Sequence, residues 1–368
     1  MIFNPSLEEV KSYEAGKPIE FVMREFGIEP SNIIKLASNE NPYGCSPLVK
    51  EMVAKEMRRE NDIASMYPDD SYYELKKALS SHYDVSGENI IIGCGSDQVI
   101  DFCIRARCNS ASKILIAGIT FAMYEIYAKM NGTQIIRTPS ITHNLDEFKT
   151  LYQEHKPDMV FLCLPNNPLG ESVSKTEVYD FIASCDENTL VVVDGAYQDY
   201  ASHRDSAMHI EPKKLINTFT NTVYLGTFSK AYALGGMRVG YGLSNEGIIK
   251  TLHKLRPPFN ITNLSLKMAT LALQDQAHVQ KCIVKNFEEM NKYEQFCEDK
   301  KIGYIKSYTN FITIAFDDAI SSKNIAQKLL REGVIVRDLS SYQHNAIRVT
   351  IGQEWQNEKV ISYLRSMI

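Results

Sequence analysis

Short, almost wholly apolar runs recur through the middle of the chain. Between them lie stretches in which apolar residues return every three or four positions. The runs are short and rich in β-branched residues, which predicts strands over 89–93, 113–117, 159–164, 190–193, 222–226 and 239–244. Residues 159–164 carry no charge at all, the pattern of a strand covered on both faces. The intervening spacing predicts helices over 96–107, from about 121 to 130, and over 146–155. Ser174-Lys-Thr-Glu177 is a capping box: the Ser174 hydroxyl accepts from the Glu177 N–H while the Glu177 side chain reaches back, opening a helix to about Ser184. Strands alternating with helices predict an α/β architecture around a mostly parallel sheet.

Beyond about residue 250 the texture changes. Residues 264–300 read as a long helical region, followed by strand patterns at 311–316, 334–337 and 346–351 and a helix over 322–332. This compact α+β pattern divides the chain into an N-terminal arm over 1–30 that joins the smaller domain, a large domain over 31–250, and a small C-terminal domain over 251–368.

Composition narrows the partners. Hydrophobic residues make up 44% and charged residues 23% of the 368, as in ordinary soluble globular chains. A net charge of −5 leaves no basic footprint for nucleic acid or an anionic membrane. No apolar run approaches the roughly 20 residues that span a bilayer, and the first residues lack the pattern of a signal peptide. The eight cysteines form no CxxC pair, and nearby histidines do not complete a zinc set. Reduced thiols, a cytoplasmic chain and no metal are the expectation.

In an open α/β sheet, ligands bind beyond the carboxyl ends of the strands. There the chain sets Gly93-Cys-Gly-Ser-Asp97, Phe121, Pro165-Asn-Asn-Pro-Leu-Gly170, Asp194-Gly-Ala-Tyr197 and Thr227-Phe-Ser-Lys230. Gly93-x-Gly95, between strand and helix, suits a turn that presents backbone N–H groups to a phosphate. A dinucleotide fingerprint would need a third glycine where Gln98 stands, and an acidic residue near Ala117-Gly118. A single-phosphate cradle of Gly95, Ser96 and Asp97 fits better. Asp194 ends a buried run, where an unpaired carboxylate is costly; it calls for a cationic ligand such as a protonated ring nitrogen, or else for a helix cap or structural salt bridge. A lone lysine reads as surface charge, but Lys230 precedes Ala233-Leu-Gly-Gly-Met-Arg-Val-Gly240. Glycines admit close approach of backbone to a ligand, and Arg238 suits a dianionic phosphate, each charge-assisted bond being worth about 1.5–3 kcal/mol. A partly desolvated amine also loses its proton more readily, as Schiff-base formation requires.

These segments resemble the fold-type-I aminotransferases, which use pyridoxal 5'-phosphate (PLP), and among them the histidinol-phosphate aminotransferase family. The resemblance covers nearly the whole chain. It rests on Ser38-Asn-Glu-Asn-Pro-Tyr-Gly44, Tyr67-Pro-Asp69, Gly95-Ser-Asp-Gln98, Asn166-Asn-Pro168, Ser229-Lys230 with Gly236, Arg238 and Gly240, Pro258-Phe-Asn260, and Ile347-Arg-Val-Thr-Ile-Gly352. It implies a three-layer fold with a mostly parallel central sheet in a large PLP-binding domain and a smaller α+β domain. By the same resemblance Lys230 holds the cofactor as a Schiff base and moves the substrate proton, Asp194 pairs with the pyridine nitrogen, and Asn167 and Tyr197 bond the ring hydroxyl oxygen. Phe121 stacks on the ring. Gly95, Ser96, Asp97, Ser229 and Arg238 surround the phosphate, joined by Tyr67 from a neighbouring subunit, which implies a homodimer with shared sites. Arg337 and Arg348 bind the anionic end of the substrate, with Tyr13 and Asn39 lining the same pocket.

Departures fall beside that core. Gly195 stands where many relatives have an acidic residue, Leu169 where the NPTG motif has Thr, and Ile119-Thr-Phe where Pro-Thr-aromatic is usual; Gln343-His344 and Gly352-Gln-Glu-Trp355 also differ. The expected activity is amino transfer between glutamate or 2-oxoglutarate and a small phosphorylated amine or carbonyl compound, with histidinol phosphate as the default. The alternatives are a PLP-dependent decarboxylase of an O-phospho amino acid, since PLP stabilises the same carbanion whichever bond breaks, and a non-catalytic PLP-binding protein.

Overall fold

The computed structural model describes residues 5–8, 10, 17–58, 63 and 65–368. Its strands, in chain order, are β1 (Ile34–Lys35), β2 (Ile90–Cys94), β3 (Lys113–Ile116), β4 (Gln134–Arg137), β5 (Met159–Cys163), β6 (Leu190–Asp194) and β7 (Thr222–Thr227), then β8 (Val239–Leu243), β9 (Gly303–Ile305), β10 (Phe311–Ala315), β11 (Val334–Ile335), β12 (Arg337–Asp338) and β13 (Ala346–Thr350). Seven of them form one sheet in the order β2-β8-β7-β6-β5-β3-β4. All its pairings are parallel except those of β8, which runs against both β2 and β7.

Strand periodicity of two sorts the side chains into two cores. Ile90, Ile92, Val160, Leu162, Val191 and Val193 face one layer of helices. Their neighbours Ile91, Phe161, Val192, Val223 and Leu225 face the other. With helices on both faces, the expected α/β architecture is what the chain adopts. The expected strand 190–193 extends one residue to Asp194, placing that carboxylate at the sheet's carboxyl edge. Edge strand β4, with no fully buried residue, carries too weak a pattern to stand out in the sequence.

The long helical region is two helices, Asn263–Gln274 and Gln276–Lys300, divided at Asp275, whose side chain accepts from the His278 N–H and so caps the second. The first buries Met268, Ala269, Ala272 and Leu273 in the core shared with Leu162. The pattern at 334–337 also divides. β11 runs parallel to β1, while β12 pairs with β13 in a four-stranded antiparallel sheet of order β12-β13-β10-β9. A third core, including Ile312, Ile314, Ile347, Val349, Leu329 and Leu364, backs that sheet. Among the described residues no helix is long and apolar enough to cross a membrane.

Because Leu162 is wholly buried in the middle of β5, Leu162→Ala should destabilise the fold by about 2–5 kcal/mol. Chemical denaturation of the cofactor-free protein reads this directly; a loss within 0.5 kcal/mol, roughly the surface-substitution range, would show that the strand is not a core element.

Candidate active site

The carboxyl edge of the seven-stranded sheet opens into a cavity of about 560 Å³. Gly95, Ser96 and Asp97 reach it from the end of β2, Phe121 from the loop after β3, and Asn167 from the loop after β5. Asp194 and Tyr197 come from the end of β6, and Ser229 and Lys230 from the end of β7. β8 is the exception that completes the ring: being antiparallel, it begins at this edge, and so delivers Arg238 there. Asn39, Arg337 and Arg348 close the cavity from the other side of the chain. Tyr67 does not line it and is 80% exposed. Tyr13 lies outside the described residues.

Two glycines make the anion end possible. Gly95 has φ +73°, and a Cβ there would sit 2.8 Å from Arg238 Nη2. At Gly240 a Cβ would lie 2.0 Å from the Ser96 nitrogen. The turn after β2 can therefore lie directly on β8, where the Gly95 N–H donates to the Arg238 carbonyl at 3.1 Å. The helix Gly95–Arg107 starts at this turn, and its next N–H groups have no acceptor within the helix. Asp97 gives its carboxylate to the Tyr127 hydroxyl (2.9 Å), away from the turn's own donors. Backbone N–H groups, the Ser96 and Ser229 hydroxyls and the Arg238 guanidinium form a donor set matched to a phosphate monoester.

At the other end Asp194 is buried. Its Oδ2 accepts from the Tyr124 hydroxyl at 2.7 Å and its Oδ1 from the Ala196 N–H at 3.1 Å. Burial pushes its carboxyl above the usual carboxylate range, against the pull of those two donors. Lys230 Nζ donates to the Ser38 carbonyl at 3.3 Å and lies 5.8 Å from the Tyr197 ring centroid. Burial, helped by Arg348, brings its pKa from 10.5 down to about 8. Tyr197 accepts from Asn39 Nδ2 at 2.8 Å, so its own O–H remains available to donate. Arg348 donates to Asn167 Oδ1 and to the Ala37 carbonyl, both at 2.6 Å. A buried carboxylate for a ring nitrogen, an amine near neutrality and a phosphate cradle, all in one cavity, fit PLP.

Arg337 faces Arg348 across the β12–β13 pair. Like charges directly opposite in a sheet are destabilising, and both line the cavity, which favours an anion there. Tyr124 and Ala37 were not singled out from the sequence, and Ser38, Glu40 and Thr227 stood in quoted segments without a role of their own. Tyr124 lies one turn beyond Phe121, within the expected helix, and that spacing was the available signal.

The departures resolve mostly into packing. A Cβ at Gly195 would lie 2.4 Å from the Tyr224 hydroxyl, so Tyr224 occupies the space a side chain would need. Ile119 and Leu169 pack in one cluster with Leu339 and Ala346. Gln343 adopts φ +58°, a conformation that favours glycine. Gln353 caps the helix Glu354–Met367 and donates to the Pro42 carbonyl at 2.9 Å.

In the cofactor-free protein, Lys230 should react with an amine-directed acylating reagent with a pH midpoint near 8. Peptide mass mapping across a pH series measures it, and a midpoint at the ordinary 10.5 would refute the depressed pKa.

Residues 31–364 match the family described as aminotransferase class I and II. The chain is 57% identical over 368 residues to histidinol-phosphate aminotransferase from Aliarcobacter butzleri (strain RM4018), covering 100% of this chain and 99% of that one. It is 56% identical over 359 residues to the enzyme of that name from Sulfurimonas denitrificans (strain ATCC 33889 / DSM 1251), covering 98% of each. In fold it is similar to the crystal structure of histidinol-phosphate aminotransferase from Sinorhizobium meliloti in complex with pyridoxal-5'-phosphate, with a TM-score of 0.88, 22% identity, and coverage of 100% of this chain and 98% of that one. With PLP as the group that its cavity fits, the chain belongs to the class I and II aminotransferases, within them to the histidinol-phosphate aminotransferase family, and is a PLP-dependent aminotransferase.

Proposed function

We propose that this aminotransferase exchanges an amino group between glutamate or 2-oxoglutarate and histidinol phosphate or its carbonyl counterpart. Beyond the names of its full-length relatives, the observation that carries the substrate class is the Arg337–Arg348 pair. Two guanidiniums brought opposite one another in the cavity of Lys230 suit a phosphate, and equally the second carboxylate of glutamate when donor and acceptor alternate.

PLP, when bound, supplies the electron sink for the pair left on the substrate carbon once its proton is removed. Lys230 Nζ is the group that takes and returns this proton, and a pKa of about 8 lets it do both near neutrality. Asp194, the buried carboxyl at the end of β6, would hold a proton at the ring nitrogen. Tyr197 would donate to the ring oxygen while Asn39 steadies its hydroxyl. Asn167, with its Oδ1 engaged by Arg348, would have its amide N–H groups left to donate to the same oxygen. Phe121 would pack on the ring face, and Gly95, Ser96, Asp97, Ser229 and Arg238, which line the cavity, would hold the phosphate. Tyr67 points outward, which suits delivery to the phosphate of a second copy in a homodimer. Tyr13 joins the substrate pocket by the family resemblance. The chain works in the cytoplasm, in keeping with its free cysteines.

Incubation with histidinol phosphate and 2-oxoglutarate should form glutamate. Release of carbon dioxide from O-phosphothreonine or O-phosphoserine, without any glutamate, would replace amino transfer with decarboxylation. Lys230→Ala should lower turnover by at least about a thousandfold, within the range for loss of a general acid–base group, and retained activity would remove the lysine from its role. Arg337→Ala should raise the KM for histidinol phosphate about ten- to a hundredfold while PLP affinity stays within twofold. Equal loss of both would move Arg337 out of the substrate pocket.

A further inference from the structure

We propose that Arg256 is a positioning residue for the site of a second copy: it presents Tyr67 of its own chain to the cofactor phosphate held by the partner subunit. The inference rests on the reading of Tyr67 as the residue shared between subunits.

Tyr67 has little to hold it. It is 80% exposed, and its ring lies tilted against Phe259, centroids 4.7 Å apart, a residue itself 43% exposed. Left alone, such a side chain would sample many rotamers and lose that freedom on association. What holds the pair lies beneath it. Asp70 receives Arg256 Nη1 on Oδ1 and Nη2 on Oδ2, both at 2.9 Å, while Nη2 also reaches the Asp70 carbonyl at 3.1 Å. The same Oδ1 accepts from the Phe259 N–H at 2.8 Å. One carboxylate thus anchors both the segment that carries Tyr67 and the residue on which Tyr67 lies.

The geometry is not that of an ordinary surface ion pair. Exposed pairs are worth little because two long side chains must be held for a screened attraction. Here the Arg256 side chain is only 10% exposed, its guanidinium lies 4.8 Å from the Tyr72 ring centroid, and Nη1 also donates to the Tyr72 hydroxyl (2.9 Å) and to Asn260 Oδ1 (3.1 Å). The fork is therefore fixed before Asp70 meets it, and the bonds that Asp70 accepts from it, with that from the Phe259 N–H, pull the Asp70 carboxyl below its usual range. A lysine would keep the charge but not the fork.

The network has a second end. Asn260 Nδ2 donates to Gln98 Oε1 at 2.6 Å, and that oxygen also accepts from the Cys94 N–H at 2.7 Å, in the chain's own phosphate turn. Arg256 thus stands between the chain's own turn and Tyr67. Its paired bonds to the Asp70 carboxylate, however, lie on the Tyr67 side.

Heterodimers of differently tagged chains test this. One chain carries Lys230→Ala, so only one lysine per dimer can be fixed to PLP by borohydride, and intact mass reads its occupancy against PLP concentration. Arg256→Lys on the lysine-free chain should raise the half-saturating PLP concentration about tenfold, equivalent to about 1.4 kcal/mol. On the lysine-bearing chain it should leave that value within twofold of the control. Tyr67→Phe, scored in the same way, separates the two claims. If Tyr67→Phe shows no preference for the lysine-free chain, the reading of Tyr67 fails and takes the inference with it. If Tyr67→Phe shows that preference but Arg256→Lys acts equally from either chain, or only from the lysine-bearing one, Arg256 is structural or serves its own turn, and the inference alone is overturned. Asp70→Asn replaces Arg256→Lys should the latter not fold; failure of both to fold would make the pair structural and overturn the inference.

Discussion

Asp194 ends a strand whose other residues, Leu190, Val191, Val192 and Val193, are all buried. Taking a carboxylate out of water in such a place costs several kcal/mol unless it is paired and hydrogen-bonded. Two neutral donors, the Tyr124 hydroxyl and the Ala196 N–H, offset only part of this, and burial still pushes the group up. Lys230, in the same cavity, is pushed the opposite way by the same cause. Its hydrogen bond to protein is to the Ser38 carbonyl rather than to Asp194. The chain therefore maintains an acid and a base in one cavity without letting them neutralise each other. A ring with a basic nitrogen at one end and an aldehyde at the opposite end satisfies both at once, which is why the cofactor can be read from these two groups before any other.

The remaining contacts follow from how the backbone reaches that edge. A purely parallel sheet would deliver only strand ends. One reversed strand, β8, delivers a strand beginning, and Arg238 stands at it. For Arg238 to meet the Gly95–Ser96 turn, the two backbones must nearly touch, and side chains at Gly95 or Gly240 would hold them apart. The glycines are thus a requirement of the phosphate end in the same sense that a buried carboxylate is a requirement of the nitrogen end. Neither depends on which substrate arrives.

That difference explains what was legible in the sequence. The strand-end polar groups could be read because each follows an apolar run long enough to mark a strand: Asp194 after 190–193, Lys230 after 222–226, Ser96 after 89–93. Their convergence follows from sheet topology, and the cavity holds all of them. Tyr124 was not legible as a partner of Asp194, since a tyrosine on the buried face of a helix looks like packing until the strand beneath it is known. The break at Asp275 was hidden because apolar spacing continues across it with no Gly or Pro to interrupt. The pattern at 334–337 read as one strand because periodicity records which face a residue presents, not which neighbour it pairs with.

The departures from the family pattern show where constraint is weak and where it only changes form. Ile119 and Leu169 lie close in sequence to Phe121 and Asn167, which line the cavity, yet they turn into one apolar cluster with Leu339 and Ala346 rather than into the cavity. Leu339 follows β12 and Ala346 opens β13, the strands that carry Arg337 and Arg348. The cluster therefore packs the loops after β3 and β5, which carry Phe121 and Asn167, against the sheet that carries the arginine pair. Arg348 closes the same connection by a polar route through Asn167. An apolar residue at each of these positions can hold the two halves of the site in register as well as Pro and Thr would, because the requirement is for filled volume rather than for a particular hydrogen bond. The polar contacts at the cavity have no such latitude. Replacing either arginine would remove half of the pair that lines the cavity, and replacing Asn167 would take from the buried Arg348 one of its acceptors.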